Sequence, residues 1–287
     1  MSLFIQGYTL NAKIAEGACA EIYAAVDQSS GRQVAIKALH PRHLANKEEY
    51  RRLHDEGALG AKLEQHDNIA QVYKFGMAGN IPYIVLEYVK GTTLRELLGT
   101  RKMLINWEIL SIAKGLCRGL RFIHNAGICH KDLKPDNIMI NDEGVVKLID
   151  FGFAENTKSF SLFGKGLTGS PPYMAPELFS SKKPTPGTDI YALGCTLYEA
   201  ASGMQPFGGM SDGEVIAKQK NMGFVPAPVA TLNKGISSFT EKTIMTAIEK
   251  NISRRFKSVD EILLDLARNP ALRGARQSQS LPIVRGP

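Results

Sequence analysis

Apolar and polar positions follow two regimes along the chain. Up to about residue 88, short runs rich in β-branched and aromatic residues alternate with turn residues. They predict strands over 8–15, 21–27, 33–39, 70–75 and 82–88, with turns at Ser29-Ser30-Gly31 and Ala78-Gly79-Asn80. One helix interrupts them at 47–63, where Leu53, Leu59 and Leu63 share a face. Beyond residue 91 the period lengthens. Residues 107–126 place Ile109, Ile112, Leu116, Leu120 and Ile123 at helical spacing behind Asn106 as a cap. Helices are also expected at 189–201, opened by Asp189 as an acidic cap, and at 212–219, 237–249 and 258–267. Between them, 138–140 and 145–149 read as a hairpin about Asn141-Asp142-Glu143-Gly144. The pattern predicts an α+β chain: a small β-rich lobe with one helix, then a larger, mainly helical lobe.

Certain polar residues break the pattern. Asp132, Asn137 and Asp150 flank the hairpin, and pairing of its strands puts all three at one end. Two carboxylates and an amide suit a hard cation, Mg²⁺ rather than zinc. Lys37 closes the apolar run Val34-Ala35-Ile36. An unpaired ammonium is costly to bury, so on its own this residue reads as an edge lysine reaching for solvent. A carboxylate partner changes that reading. Glu56, three residues before Leu59 and seven before Leu63, lies on the inward face of its helix. The loop Glu16-Gly17-Ala18-Cys19-Ala20 would let backbone N–H groups approach a phosphate, although alone it reads as a tight turn.

From 152 to 177 periodicity disappears. Thr157, Ser159, Ser161, Gly164, Gly166, Thr168 and Gly169 make a polar loop that ends in the proline-stiffened run Ser170-Pro171-Pro172-Tyr173-Met174-Ala175-Pro176-Glu177. A loop of this length in a compact domain usually has a function.

Bulk composition narrows the classes. The 287 residues suffice for one large domain or two lobes. The net charge is +7, but Arg268, Arg273, Arg276 and Arg285 lie in a C-terminal stretch without acids, and without those four +3 remains. That supports a solvated basic tail over a nucleic-acid partner. Cys19, Cys117, Cys129 and Cys195 are scattered, which fits a reducing, cytoplasmic compartment and no thiolate metal site. No run is apolar and long enough to span a membrane, and Met1-Ser2-Leu3 does not open a signal peptide.

In order, these motifs resemble the eukaryotic-type serine/threonine protein kinases, in their bacterial form, over residues 8–267. Ile14-Ala15-Glu16-Gly17-Ala18-Cys19-Ala20-Glu21-Ile22 matches the glycine-rich loop, and Val34-Ala35-Ile36-Lys37 and Glu56 match the lysine and its helix partner. His130-Lys131-Asp132 with Asn137 matches the catalytic loop, Asp150-Phe151-Gly152 the metal motif, and Ala175-Pro176-Glu177 the end of the activation segment. The resemblance implies a bilobal protein kinase fold. It divides the chain into an N-terminal extension (1–7), a small lobe (8–86), a hinge (87–91), a large lobe (92–267) and a flexible basic tail (268–287).

It also implies ATP-dependent phosphoryl transfer to Ser and Thr hydroxyls of proteins, with Mg²⁺ or Mn²⁺. Asp132 would accept the hydroxyl proton, Lys134 would offset phosphoryl charge, Lys37 with Glu56 would hold the α- and β-phosphates, and Asn137 and Asp150 would hold the metal. Leu86 falls at the gatekeeper position, Glu87 and Val89 offer backbone contacts to adenine, and Ile22, Ala35 and Met139 sandwich the ring. Arg255 would pair with Glu177, and Asp189 would brace the catalytic loop. His130, Phe151 and Val72 match the apolar column linking the lobes; its fourth place falls at Gly60 or Leu59, and Gly60 would leave a gap. Asp136 lies near the expected peptide groove and hints at tolerance for basic residues.

Three departures stand out. Ala15 and Ala20 replace two loop glycines, which implies a stiffer flap. Lys131 replaces an arginine and cannot grip a phosphate with two prongs. Gly166 stands where the main phosphorylated residue often lies. Activation is therefore expected to depend little on a single loop phosphate, with Ser159, Ser161 and Thr168 as candidate autophosphorylation sites or merely solvated hydroxyls. Two other readings stay open. A pseudokinase or scaffold typically loses the lysine or one of the aspartates, and Lys37, Asp132 and Asp150 are all present. A small-molecule kinase of the aminoglycoside-modifying kind lacks the Ala-Pro-Glu segment, which this chain has.

Overall fold

The computed structural model describes residues 3–150, 155–156, 169–180, 183–269 and 272. The expectations for Phe151, Gly152, Thr157, Ser159, Ser161, Gly164, Gly166 and Thr168, and for Arg273, Arg276 and Arg285 of the tail, lie outside the described residues. The chain divides into two compact units. One runs to Lys90 and takes in Asp150; the other comprises Gly91–Ile149 and the described residues from Glu155 onward.

The first unit is an antiparallel sheet with one helix. Its strands are β1 (Tyr8–Glu16), β2 (Ala20–Asp27), β3 (Gln33–Leu39), β4 (Val72–Ala78) and β5 (Ile81–Glu87), in the order β1-β2-β3-β5-β4. The period of two sorts the side chains of β3. Val34, Ile36 and Ala38 join Ile5, Ala25, Tyr83 and Val85 in one core cluster. Leu39 joins Leu53, Val72 and Ile84 in another. Lys37 shares the face of Leu39. Ile5 is 1% exposed, so the segment before β1 packs into this unit.

Helix α1 (Lys47–Gly60) follows β3. Asn46 caps it, accepting from the N–H groups of Glu48 and Glu49, and both glutamates favour the positive helix end. The helix stops short of the expected residue 63, and its buried face differs from the expected one. Leu53, Glu56, Gly57 and Gly60 point inward, while Leu59 and Leu63 are only half-buried. A Cβ on Gly60 would lie 2.2 Å from Val72 Cγ2, and one on Gly57 would lie 3.0 Å from Phe75 Cβ. The glycines thus let the helix sit directly on the sheet. Each costs about 1 kcal/mol of helix propensity relative to Ala. Val72 fills the gap expected at Gly60.

The second unit is mainly helical. It contains β6 (Gly91–Thr93), α2 (Leu94–Arg101), α3 (Asn106–Asn125), β7 (Ile128–Cys129), β8 (Ile138–Asn141), β9 (Val146–Leu148) and β10 (Glu155–Asn156). Then follow α4 (Pro186–Ser202), α5 (Asp212–Lys220), α6 (Val229–Leu232), α7 (Ser238–Ala247) and α8 (Val259–Arg268). The strands form a β6-β8-β9 sheet and a β10-β7 pair. Strands β8 and β9 pair antiparallel with Ile138 opposite Leu148, which is the expected hairpin. Gly91 is required where β6 meets β8, since a Cβ there would lie 2.1 Å from the Ile140 carbonyl oxygen.

The caps correct two expectations. Ile105, not Asn106, precedes α3, and the Glu108 carboxylate accepts from the Ile105 N–H. The Asn106 amide oxygen instead accepts from Ser237 N–H and Thr240 Oγ1, tying down the start of α7. Helix α4 is buried on every side from Gly187 to Ser202, so it forms the centre of this unit. Thr185 is its cap, and Asp189 is a buried residue in its first turn. Three residues of the expected 268–287 tail are described. Arg268 ends α8, Asn269 is 7% exposed, and Leu272 donates its N–H to the Asn269 carbonyl. No helix among the described residues is long and apolar enough to cross a membrane.

Candidate active site

In the first unit the shared face of β3 and α1 brings Lys37 to Glu56. The ammonium lies 2.9 and 2.8 Å from the two Glu56 oxygens and 2.8 Å from Asp150 Oδ1. Burial opposes the charge on Lys37, but Asp150 and Glu56 outweigh it and push its pKa up. Burial raises the Glu56 carboxyl to about 7, against the pull of Lys37, and the neighbouring Asp150 carboxylate adds to the rise. Asp150 has φ +66°, in the left-handed region. Such a residue costs on the order of 1–3 kcal/mol and persists where its surroundings hold it.

The rest of the expected nucleotide set in this unit lines β1, β2, β3 and β5. Ile14, Ala15 and Glu16 end β1, Ala20, Glu21 and Ile22 begin β2, and Ala15 pairs with Ile22. Between them Gly17 N–H donates to Ala20 O at 2.8 Å, which makes a tight turn. The Ala18 carbonyl accepts from Arg42 Nη2 at 2.8 Å and lies 3.0 Å from His43 Nε2. Lys13 pairs with Glu16 and Glu21. The loop is therefore anchored as well as short of glycine. Half-buried Cys19 has its thiol pKa pushed up, first by burial and then by Glu49. Ala35 lies opposite Leu86, and Ile22 opposite Lys37. The Glu87 N–H is committed to Gln71 O at 2.8 Å, and Val89 is 8% exposed.

The second unit holds Asp132. It is 5% exposed, and its carboxylate is crowded with donors. Oδ1 accepts from the N–H of Ser170 at 3.1 Å and from its hydroxyl at 2.9 Å. Oδ2 faces Lys134 Nζ at 2.8 Å and Asn137 Nδ2 at 3.0 Å. Lys134 also donates to Ser170 Oγ at 2.8 Å, and Asn137 Nδ2 to the Asp132 carbonyl at 2.8 Å. Ile149 N–H donates to Asn137 O, so Asn137 stands at the open end of the hairpin that leads into Asp150. Met139 lies on β8 opposite Thr93 and Lys147.

Asp189 supports this segment from α4. It accepts from the backbone N–H groups of His130 and Lys131, each at 2.9 Å, and His124 Nε2 lies 2.8 Å from Oδ2. Burial opposes its charge, yet His124 and the backbone donors hold its pKa below the usual carboxylate value. The brace grips Lys131 where the chain turns through φ +70°. Farther along, the Arg255 guanidinium meets Glu177 with two bonds of 2.7 Å. It also donates to the carbonyls of Glu249, Gly187 and Lys250 and sits over the Tyr191 ring.

Two participants carry no local signal in the sequence. Ser170 has no hydropathy mark, and its bonds to Asp132 span 38 residues. Arg95 lies in a stretch to which the pattern assigns no element, yet it pairs with Asp136 and Glu199. Asp136, expected near a peptide groove, thus has a cation of the chain itself beside it.

Comparison with known proteins places the chain in a family. The protein-family model described as "Protein kinase domain" matches residues 8–270. A protein named probable serine/threonine-protein kinase from Clostridium acetobutylicum is 33% identical over 262 residues, covering 91% of this chain and 39% of that protein. One of the same description from Clostridium perfringens is 34% identical over 260 residues, covering 90% and 38%. The serine/threonine-protein kinase PknB of Mycobacterium tuberculosis is 32% identical over 271 residues, covering 91% and 42%. The chain thus spans about two fifths of the length of these relatives.

Proposed function

The chain belongs to the protein kinase domain family, and from that premise we propose that it transfers the γ-phosphoryl group of ATP to serine and threonine hydroxyls of protein substrates. The carrying observation is the buried Asp132 carboxylate, held by buried Asn137 and by half-buried Lys134 and Ser170. In the proposed step the acceptor oxygen forms a bond to the γ-phosphorus as its proton passes to Asp132. The bond from that phosphorus to the bridging oxygen breaks, and ADP leaves. Lys134 offsets charge on the moving group, and Lys37, steadied by Glu56, holds the α- and β-phosphates. Residues 14–22, with Ala35, Leu86, Glu87, Val89 and Met139, bind the rest of the nucleotide.

The family uses a divalent metal. Asn137 and Asp150 offer only hard oxygen donors once the Asn137 nitrogen is committed to Asp132, a set that fits Mg²⁺. Bound there, the cation would neutralise phosphate charge. A reducing cytoplasmic location belongs to the same reading.

The test is transfer from ATP·Mg²⁺ to a protein substrate, followed by mass spectrometry of both proteins. Asp132→Ala is expected to lower the rate by about 10²–10⁴-fold, the usual worth of a positioned general base. Transfer that persists undiminished in that variant overturns the mechanism. ATP binding without turnover on any substrate would leave a nucleotide-binding scaffold.

A further inference from the structure

Arg95, the second residue of α2, gathers side chains from distant parts of the second unit. Its Nε and Nη2 lie 3.3 and 3.2 Å from Asp136 Oδ2, and Nη1 lies 2.6 Å from Glu199 Oε1. Nη2 also donates to the Tyr173 hydroxyl at 2.7 Å, and that hydroxyl donates to Glu199 Oε2. Burial and then Glu199 raise the Tyr173 pKa, so it stays a neutral donor.

This cluster borders the place where an acceptor hydroxyl would be read. Asp136 follows Asp132 by four residues, and Tyr173 follows Ser170, which bonds to Asp132, by three. Without Arg95 the cluster would present two carboxylates and a phenol, one carboxylate with 47% of its side chain exposed. Such a group would favour a lysine or arginine on the substrate. Arg95 already supplies that cation, with a planar fork that serves both carboxylates at once, as a lysine could not. Being part of the chain, it pays no association entropy, whereas a substrate arginine would have to displace it.

We propose that Arg95 is a specificity-determining residue: it occupies the acidic subsite of Asp136 and Glu199 as a built-in guanidinium and turns the enzyme away from substrates marked by a basic residue. The inference rests on reading Asp132 as the group that receives the acceptor hydroxyl.

The test uses peptides that differ only in Arg or Ala at successive positions before an acceptor serine. Binding is read by fluorescence anisotropy and phosphorylation by mass spectrometry. The wild-type chain should discriminate Arg from Ala by less than about twofold at every position. Arg95→Ala should raise preference for Arg to about tenfold at one position, equivalent to about 1.4 kcal/mol. Asp136→Asn in that background should abolish the gain. Arg95→Met keeps the apolar stem and serves if the alanine variant unfolds.

A role in packing alone would change melting temperature without changing the Arg/Ala ratio. A tenfold wild-type preference for Arg, or equal ratios in wild type and variants, overturns the proposal. Binding needs no turnover, so absence of transfer to every peptide would count against the kinase reading while the binding ratio still judges Arg95.

Discussion

In the first unit a half-buried lysine is shared between Glu56 and Asp150, carboxylates from two different parts of the chain. In the second a buried arginine meets Glu177 with both prongs and spends its other donors on three backbone carbonyls. The lysine is a point charge whose partners compete, and burial leaves one of them, Glu56, titrating near neutrality at about 7. The arginine cannot lose its proton, and its geometry is fixed from several sides. One arrangement can be rearranged by small changes in charge; the other works as a rivet. In the proposed reaction, admitting and releasing a nucleotide would suit the first arrangement, and a fixed segment end the second.

The largest expected effect comes from breaking the rivet. Arg255→Ala leaves Glu177, whose side chain is 9% exposed, without its cation and should destabilise the fold by about 3–5 kcal/mol. In a chain of this size that lowers Tm by on the order of 10 °C. Thermal unfolding followed by circular dichroism measures it, and a change of about 1 °C or less would mean that Glu177 finds another partner.

The shared lysine should show itself through pH. Between pH 8 and pH 6 Glu56 takes up a proton through its pKa of about 7, and Lys37 loses an ionic partner. kcat/KM should fall about tenfold over that span, as one ionisation requires. Glu56→Gln should remove this acid limb. A limb that survives unchanged belongs to another group. On stability the same shift has the opposite sign. The folded chain holds a proton that the unfolded chain releases, so this contribution is complete below the unfolded value and is lost as pH rises through about 7.

The smallest effect is expected at Lys131. The brace from Asp189 engages its backbone N–H, which alanine retains. Lys131→Ala should cost less than about tenfold in rate, far below Asp132→Ala. Equal losses would show that the side chain is needed for more than loose phosphate control.

Much of this was legible in the sequence where the signal is local. Strand 33–39 was expected with its observed bounds, and the hairpin at 138–149 and helix α3 within a residue or two, since each follows from short-range periodicity. Glu56 was identified as the lysine's partner, but through Leu59 and Leu63. The face that places it is built from Gly57 and Gly60, which carry no hydrophobic signal. Asp189 was expected both to cap α4 and to brace the catalytic loop; only the brace is present. Asn106 bonds to a helix start 131 residues away.

By itself the sequence determined the five strands and one helix of the first unit, the hairpin and the longer helices of the second, the residue types of the site and the family to which the chain belongs, because periodicity and motif spacing are properties of neighbours; the short elements β6, α2, β7, β10 and α6 were not among them. The motif spacing pairs Lys37 with Glu56; only the tertiary structure adds Asp150 to that pair and brings Ser170 to Asp132 and Arg95 to Asp136 and Glu199. These contacts join residues 19 to 113 positions apart. A carboxylate selects its cation by distance and burial, and neither is a function of position along the chain.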